Sequence, residues 1–463
     1  MPPSEPEQVA PSAYDPRELA ERLRRALRDE VVLIGEACQA YTAQGVTPQV
    51  VAMPTDVDGV SAALAVAAEL GAAVVPWGSG SRQALGYPPR RYDLALSLTR
   101  LQQALAYDPA DLTISVQAGI THARLAGRLA EEGQMLPLDV SLPERATLGG
   151  TLATATTGLR RARYGAPRDF VLGLRVVDAH GTITKTGGRV VKNVTGYDMG
   201  KLYLGSLGTL GVIVEANLKL LPAPETETTQ LAIFPEPEQA FASLDALNAL
   251  ALQPAALVAV QVGAVPELVE LAPAHRDYVL LAARLAGPAA AVRRAAREAE
   301  GALSASGART LLTLDTDGHA TFWSALERFA QAATRTPNET LLRVTALPAE
   351  CERVIALART AADTAGCALT WLADTAAGAT WLRLHGTTGN TSDNAAFGLA
   401  LDRVLQALLR HWKHVQVQDC PPALKRLLPI WGAESPAFSL MRTIKQSFDP
   451  AGLLNPGRAI GGL

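Results

Sequence analysis

At 463 residues, 48% hydrophobic and 19% charged, the chain has the composition of a globular protein large enough for more than one core. A net charge of -3 excludes a global electrostatic drive toward nucleic acid. Its four cysteines, Cys38, Cys351, Cys367 and Cys420, form no CxxC pair, which speaks against zinc or an iron–sulfur cluster and fits a reducing compartment.

Residues 1–15 read as a mobile leader with neither the basic nor the apolar region of a signal peptide, and no run approaches the roughly 20 apolar residues that span a bilayer. These features predict a cytoplasmic chain that reaches a membrane only through partners. Pro16–Arg28 has helical spacing with proline in its first turn. Val50–Met53 reads as a strand, Thr55–Leu70 as a capped amphipathic helix with Val57, Val60, Leu64 and Ala68 inward, and Ala72–Pro76 as a returning strand. Such a β–α–β unit favours a parallel pair.

The unit empties into PWGSGSRQALG, Pro76–Gly86, where successive small residues let N–H groups converge on an anion; an ordinary glycine-rich turn is the alternative. The loop matches neither G-x-G-x-x-G nor a Walker A motif. Leu94–Leu98 and Thr113–Gln117 follow as strands, and Thr121–Glu132 as a helix whose His122 reads as a solvated first-turn residue. From Pro137 to Pro222 glycines recur between short β-prone runs at Leu172–Val177, Thr182–Lys185, Gly211–Glu215 and Ala216–Leu221, with a hairpin turn at His180-Gly181. A stretch so rich in glycine and small hydroxyl residues suits a planar, phosphate-bearing cofactor, read here as a flavin.

Past Pro222, Ala/Leu-rich helices alternate with the apolar strands Leu257–Val262, Tyr278–Ala283, Leu341–Leu347 and Trp381–His385, predicting a separate α+β domain with an antiparallel sheet and helices on one face. Gly386–Asp393 reads as a loop and Ala396–Trp412 as another amphipathic helix. Leu440–Phe448 reads as a short helix before the turn-rich tail Asp449–Arg458, whose Leu453 and Leu454 predict docking.

The loop Pro76–Gly86, the run Ala146–Gly150 (ATLGG), Gly205–Ile213 (GSLGTLGVI) and the tail resemble the FAD-binding oxidoreductases of the vanillyl-alcohol oxidase (PCMH) type. Within them, Thr157–Arg161 (TGLRR), Gly165–Gly173 (GAPRDFVLG) and Lys192–Asp198 (KNVTGYD) resemble the FAD-binding E-type subunits of glycolate oxidase. The resemblance implies an α+β fold: a two-subdomain FAD-binding domain over 16–222, an α+β cap over 223–420 and a C-terminal segment, 421–463, that returns to the FAD domain. Trp77, Gly78, Ser79, Gly80, Ser81 and Gly86 would wrap the diphosphate. Thr147, Gly149, Gly150, Thr154 and Gly158 would line the flavin and its ribityl chain, and Gly211, Val212 and Ile213 would offer backbone groups to the adenine side or the ring edge. No histidine stands in the diphosphate loop, where many members attach flavin, so FAD is expected to be dissociable.

Arg160, Arg161 and Lys192 are either charges beside the flavin or, for the arginines with Arg163, a solvated basic turn. Arg161, Lys192 and Tyr197 are the weak catalytic candidates, and Tyr197 reads more readily as a packing residue. The resemblance further implies oxidation of glycolate or another 2-hydroxy acid alongside a D-type flavoprotein subunit and an iron–sulfur subunit. A self-sufficient D-lactate or 2-hydroxy-acid dehydrogenase and a non-catalytic FAD-bearing assembly subunit are the alternatives.

Overall fold

The computed structural model describes residues 15–27, 31–190, 197–269, 275–314, 316–331, 338–386 and 394–463. Almost all of the leader, most of Gly386–Asp393, and Lys192 through Gly196 of the KNVTGYD motif lie outside the described residues.

A first sheet contains β1 (Val31–Ile34), β2 (Val50–Met53), β3 (Val74–Trp77) and β4 (Leu94–Ser97) in the order β1-β2-β4-β3. The helix between β2 and β3 runs Val57–Leu70, capped by the Asp56 side chain, which accepts from Gly59 N–H at 2.7 Å. Val57, Val60, Leu64 and Ala67 bury its inner face against Leu94 and Leu96; Ala67 takes the place expected for Ala68. The strands of this unit are parallel, but they do not pair with each other. β4 lies between them and is parallel to both.

The second sheet is antiparallel and built from β5 (Ala104–Asp108), β6 (Thr113–Gln117), β8 (Val171–Val177), β9 (Ile183–Gly187) and β10 (Val212–Lys219), in the order β5-β6-β10-β8-β9; the short β7 (Gln134–Met135) pairs with β11 (Leu221–Pro222) beside it. The predicted turn at His180-Gly181 closes the β8–β9 hairpin, with Asp178 Oδ1 accepting from the N–H groups of His180 and Thr182. The two runs expected over Gly211–Leu221 form one strand, β10, whose register slips against β8 between Ile213 and Glu215.

The third sheet has eight antiparallel strands: β12 (Thr226–Phe234), β13 (Ala256–Gln261), β14 (Val279–Gly287), β15 (Thr310–Leu314), β16 (Glu339–Thr345), β17 (Cys367–Asp374), β18 (Ala379–Gly386) and β19 (Val415–Asp419), in the order β15-β12-β14-β13-β17-β18-β16-β19. Helices Pro237–Asn248, Ala289–Ala305, Cys351–Ala365 and Asn394–Leu409 cover one face through a core that includes Leu342, Val344, Trp371, Leu382, Val415 and Val417. The expectation of helices on one face is incomplete. Helix Thr316–Gln331 packs on the opposite face through Phe322, Trp323, Leu326 and Phe329. Leu341 of β16 and Trp381 of β18 share that cluster, and the β18–β16–β19 end of the face meets the glycine-rich loop at Arg82. Strand alternation therefore sends Leu342, Val344, Val415 and Val417 into the helical core and Arg343, Gln416 and Gln418 toward the loop.

Candidate functional site

β3 ends at Trp77, still paired with Ser97, and the chain turns through Gly78–Arg82. This loop forms one wall of a cleft of about 790 Å³, open solvent included. The start of helix Leu148–Thr154, the segment Gly211–Ile213 and tail residues Asn455 and Arg458 form the other walls. Trp77, Gly78, Ser79, Gly80, Ser81, Thr147, Gly149, Gly150, Thr154, Gly211, Val212 and Ile213 all line it.

Two glycines make the loop possible. A Cβ on Gly78 would lie 2.3 Å from Thr147 Oγ1, and Gly80 has φ +78 with its Cβ position 2.7 Å from the Trp77 ring. The N–H groups of Gly78 through Arg82 donate to no acceptor among the described residues, and the buried Ser79 Oγ is also without a partner. Consecutive free N–H groups in a turn form an anion-binding nest, so the residues present fit a diphosphate. Thr147 holds the opposite wall by accepting from Gly150 N–H at 3.3 Å, while Gly149 N–H donates to Ala118 O at 2.7 Å.

The two remaining predicted cofactor residues lie elsewhere. Gly86 faces the tail, its Cβ position 2.6 Å from Arg458 O. Gly158 faces Asp139, whose carboxylate thereby reaches Arg160 N–H at 2.9 Å and Arg160 Nε at 2.6 Å. Arg160 is thus neither solvated nor free to act on a flavin, whereas Arg161 and Arg163 are exposed. Tyr197 is 93% exposed and lines neither this cleft nor the cavity beside it, which argues against both catalysis and packing. Lys192 falls outside the described residues. His122 is also corrected: it is buried, its Nε2 shares a hydrogen bond of 2.8 Å with Thr151 Oγ1, and burial pushes its pKa down to about 4.

A second cavity of about 440 Å³ adjoins the cleft, with Arg82, Leu85, Thr154 and Leu207 common to both. Its far wall is the β18–β16–β19 end of the eight-stranded sheet: Arg343, Trp381, Gln416 and Gln418, with Trp431 beyond β19. Arg82 donates to Gln331 O at 2.9 Å and to Gln418 Oε1 at 3.0 Å. Arg343 lies over the Trp381 ring at 5.4 Å. The Nε atoms of both arginines are buried without a partner. Burial pushes both guanidiniums down to about 10, so they stay cationic at neutral pH; Arg161 and Arg82 add to the effect on Arg343. Two buried cations with spare donors form a receptor for a carboxylate, which a guanidinium grips in bidentate fashion. Sequence reasoning noticed Arg82 only as the absence of a histidine and missed the cap residues. The signal for the latter was the period-two pattern of Val415-Gln416-Val417-Gln418 and the lone arginine in the apolar run Leu341-Leu342-Arg343-Val344.

The tail closes the site. Val74 N–H donates to Leu453 O and Asn455 N–H to Val74 O, both at 2.8 Å, so the tail runs along the outer edge of β3. Asp449, 2% exposed, accepts from Leu453 N–H at 2.9 Å, Leu454 N–H at 2.7 Å and Lys445 Nζ at 2.5 Å. Arg458 reaches back to the carbonyls of Gln83 and Leu85, each at 2.7 Å.

Comparison with known proteins agrees with this geometry. Residues 48–187 match the FAD binding domain family model, and residues 433–459 match the C-terminal domain of FAD linked oxidases. The D-2-hydroxyglutarate dehydrogenase of Xanthomonas citri pv. viticola is 30% identical over 428 residues, covering 89% of each chain. Glycolate oxidase subunit GlcD of Bacillus subtilis is 37% identical over 210 residues, 45% of each chain. Glycolate oxidase subunit GlcE of Escherichia coli is 40% identical over 148 residues, which is 32% of this chain and 42% of that one. The matches to both glycolate oxidase subunits therefore span less than half of those proteins. Among solved structures, p-cresol methylhydroxylase superposes with a TM-score of 0.73 at 16% identity over 96% of each chain, a likeness of fold. A 30%-identical relative aligned along nearly the whole length, and family matches at the loop and at the tail that meet across the cleft, establish that the chain belongs to the FAD-linked oxidases, FAD-dependent oxidoreductases of the PCMH-type fold.

Proposed function

We propose that this chain is the FAD-bearing, E-type subunit of a glycolate oxidase or dehydrogenase, in which a small 2-hydroxy acid such as glycolate is oxidised to the 2-oxo acid. The supporting observation is the arginine-walled cavity beside the cleft. FAD, when bound, supplies the two-electron acceptance. The protein's own part is to hold and to exclude. Gly78 through Arg82 hold the diphosphate with backbone N–H groups, and Arg82 and Arg343 hold the substrate carboxylate. Trp381 and Trp431 wall the cavity with apolar surface that excludes water. Because the loop carries no histidine, the cofactor is held without a covalent bond and can dissociate.

Oxidising a hydroxyl also requires a group that accepts its proton. Among the described residues lining the cavity, none is Asp, Glu, His, Lys, Tyr or Cys. This favours action within a complex, with a D-type flavoprotein and an iron–sulfur subunit as partners, over a self-sufficient dehydrogenase. It also supports a second reading, in which the flavin of this chain relays electrons without meeting substrate. The purified chain should be yellow, and on anaerobic mixing with glycolate or D-lactate its flavin should bleach only when the partner subunits are present. Bleaching by the chain alone would refute the complex reading; a colourless protein that takes up no FAD would refute the proposal entirely.

A further inference from the structure

Four consecutive carbonyl oxygens of the glycine-rich loop are taken by two buried cations from the far end of the chain. Arg458 donates to the carbonyls of Gln83 and Leu85, each at 2.7 Å. Lys425, on the short helix Pro422–Lys425, donates to Ala84 O and to Gly86 O, the latter at 3.4 Å. Lys425 has no exposed surface, and Arg458 is 3% exposed.

A buried cation is costly unless it is paired. Lys425 has one counter-ion, Asp419, in an ion pair at 3.7 Å, and Arg458 forms none among the described residues, so the two cations keep a net positive charge. One positive charge therefore remains beside the carbonyls of Gln83–Gly86, where Arg458 also lines the cleft, while the N–H groups of Gly78 through Arg82 donate to no acceptor among the described residues. The loop is pinned at both ends: at Trp77 by pairing with Ser97, and at Gln83–Gly86 by these two side chains.

We propose that Lys425 and Arg458 are positioning residues for FAD, which fix the diphosphate loop from behind and supply the positive charge that its anion offsets. This rests on FAD occupying the cleft. Lys425 acts without lining the cleft, whereas Arg458 also stands in its wall. The arrangement also ties the cap to the cofactor, because Leu424 and Leu428, on either side of Lys425, belong to the helical core of the eight-stranded sheet.

A pH signature follows. Burial pushes Lys425 down to about 8, against the upward pull of Asp419 and Cys420, with Arg458 lowering it further. The other cations at the loop titrate higher, Arg458 and Arg82 near 10, and burial pushes the Cys420 thiol up to about 12, so the readout stops at pH 9. A bound diphosphate favours the charged amine, so above that pH cofactor binding must take up a proton. Affinity should be level below about pH 8 and fall above it.

The test uses the full chain stripped of FAD, with the dissociation constant read from quenching of flavin fluorescence between pH 6 and 9. K425M is expected to bind FAD about tenfold or more weakly at pH 7, the size expected for losing hydrogen bonds from a charged donor, and to lose the decline above pH 8. An affinity within twofold of wild type in a K425M chain that is folded by far-UV circular dichroism overturns the proposal. So does a wild-type profile level to pH 9, and that profile alone decides the matter if K425M does not fold. A wild-type chain that binds no FAD refutes the cofactor assignment and the proposal together, whereas normal wild-type binding with an unchanged variant removes only the proposal.

Discussion

The Asp449–Lys445 latch offers a sharp perturbation, because Asp449→Asn keeps the shape and removes the charge. Asp449 accepts from three donors: two backbone N–H groups and the Lys445 ammonium. Asparagine can satisfy some of them through Oδ1, but its amide N–H₂ must then face a further donor. Lys445, which also donates to Thr209 O at 2.8 Å and Leu454 O at 3.0 Å, would be left buried without its counter-ion. Breaking a buried pair from one side costs about 3–5 kcal/mol. Since about 1.4 kcal/mol is tenfold, the tail should open at least ~100 times more often. Native-state hydrogen exchange reads this at Val74, whose N–H is covered by Leu453 O. Its protection should fall about 100-fold, while Val258, in the core of the eight-stranded sheet, stays unchanged. The double variant K445M/D449N should be less damaging than D449N alone, because it removes the orphaned cation. Protection of Val74 within threefold of wild type would refute the reasoning, and an equal loss at Val258 would show that the latch is not local.

Three further outcomes are expected. Arg343→Met should weaken binding of a small 2-hydroxy acid about 10- to 100-fold, the loss of a charged hydrogen-bonding group, with FAD retention unchanged; the check is titration of the flavin spectrum. Gly80→Val should cost FAD binding outright, since its side chain would meet the Trp77 ring at positive φ, and the visible spectrum of the purified variant reads this directly. For His122 the sign follows from its lowered pKa: the unfolded chain binds a proton below about 6.5 that the folded chain refuses until about 4, so stability falls as pH drops across that window. The share owed to His122, the difference between wild type and H122N, should be about 2 kcal/mol, as measured by urea unfolding at pH 7 and pH 4.5.

Much of the cofactor cleft was legible because its requirements are backbone requirements. Gly78 and Gly80 have to be glycine, the Asp56 cap has to precede its helix, and the tail prolines and glycines fix a path, so local sequence carries the information. The cavity proposed for substrate was not legible, because Arg82, Arg343 and Gln418 meet only when the eight-stranded sheet docks on the loop. Gly86 and Gly158 do not line the cleft. Both have a steric reason to be glycine, but their neighbours are Arg458 and Asp139 instead of the cofactor. His122 was misjudged for a related reason: a first-turn position is exposed on an isolated helix, yet here helix Leu148–Thr154 covers it. Strand order in the first sheet was likewise out of reach, since β2, β3 and β4 are apolar four-residue runs with interchangeable edges.

β3 is the outermost strand of its sheet, and its free edge is covered by a tail whose Arg458 lies 375 residues beyond the loop it grips. At a synthesis rate of about 5–20 residues per second, that edge waits roughly 20–75 s on the ribosome before its cover exists. During that interval the nascent chain carries a bare apolar strand edge and an unfinished cleft. The exposure invites non-native strand pairing. The cleft gains its last wall, Asn455 and Arg458, only when the tail has been synthesised.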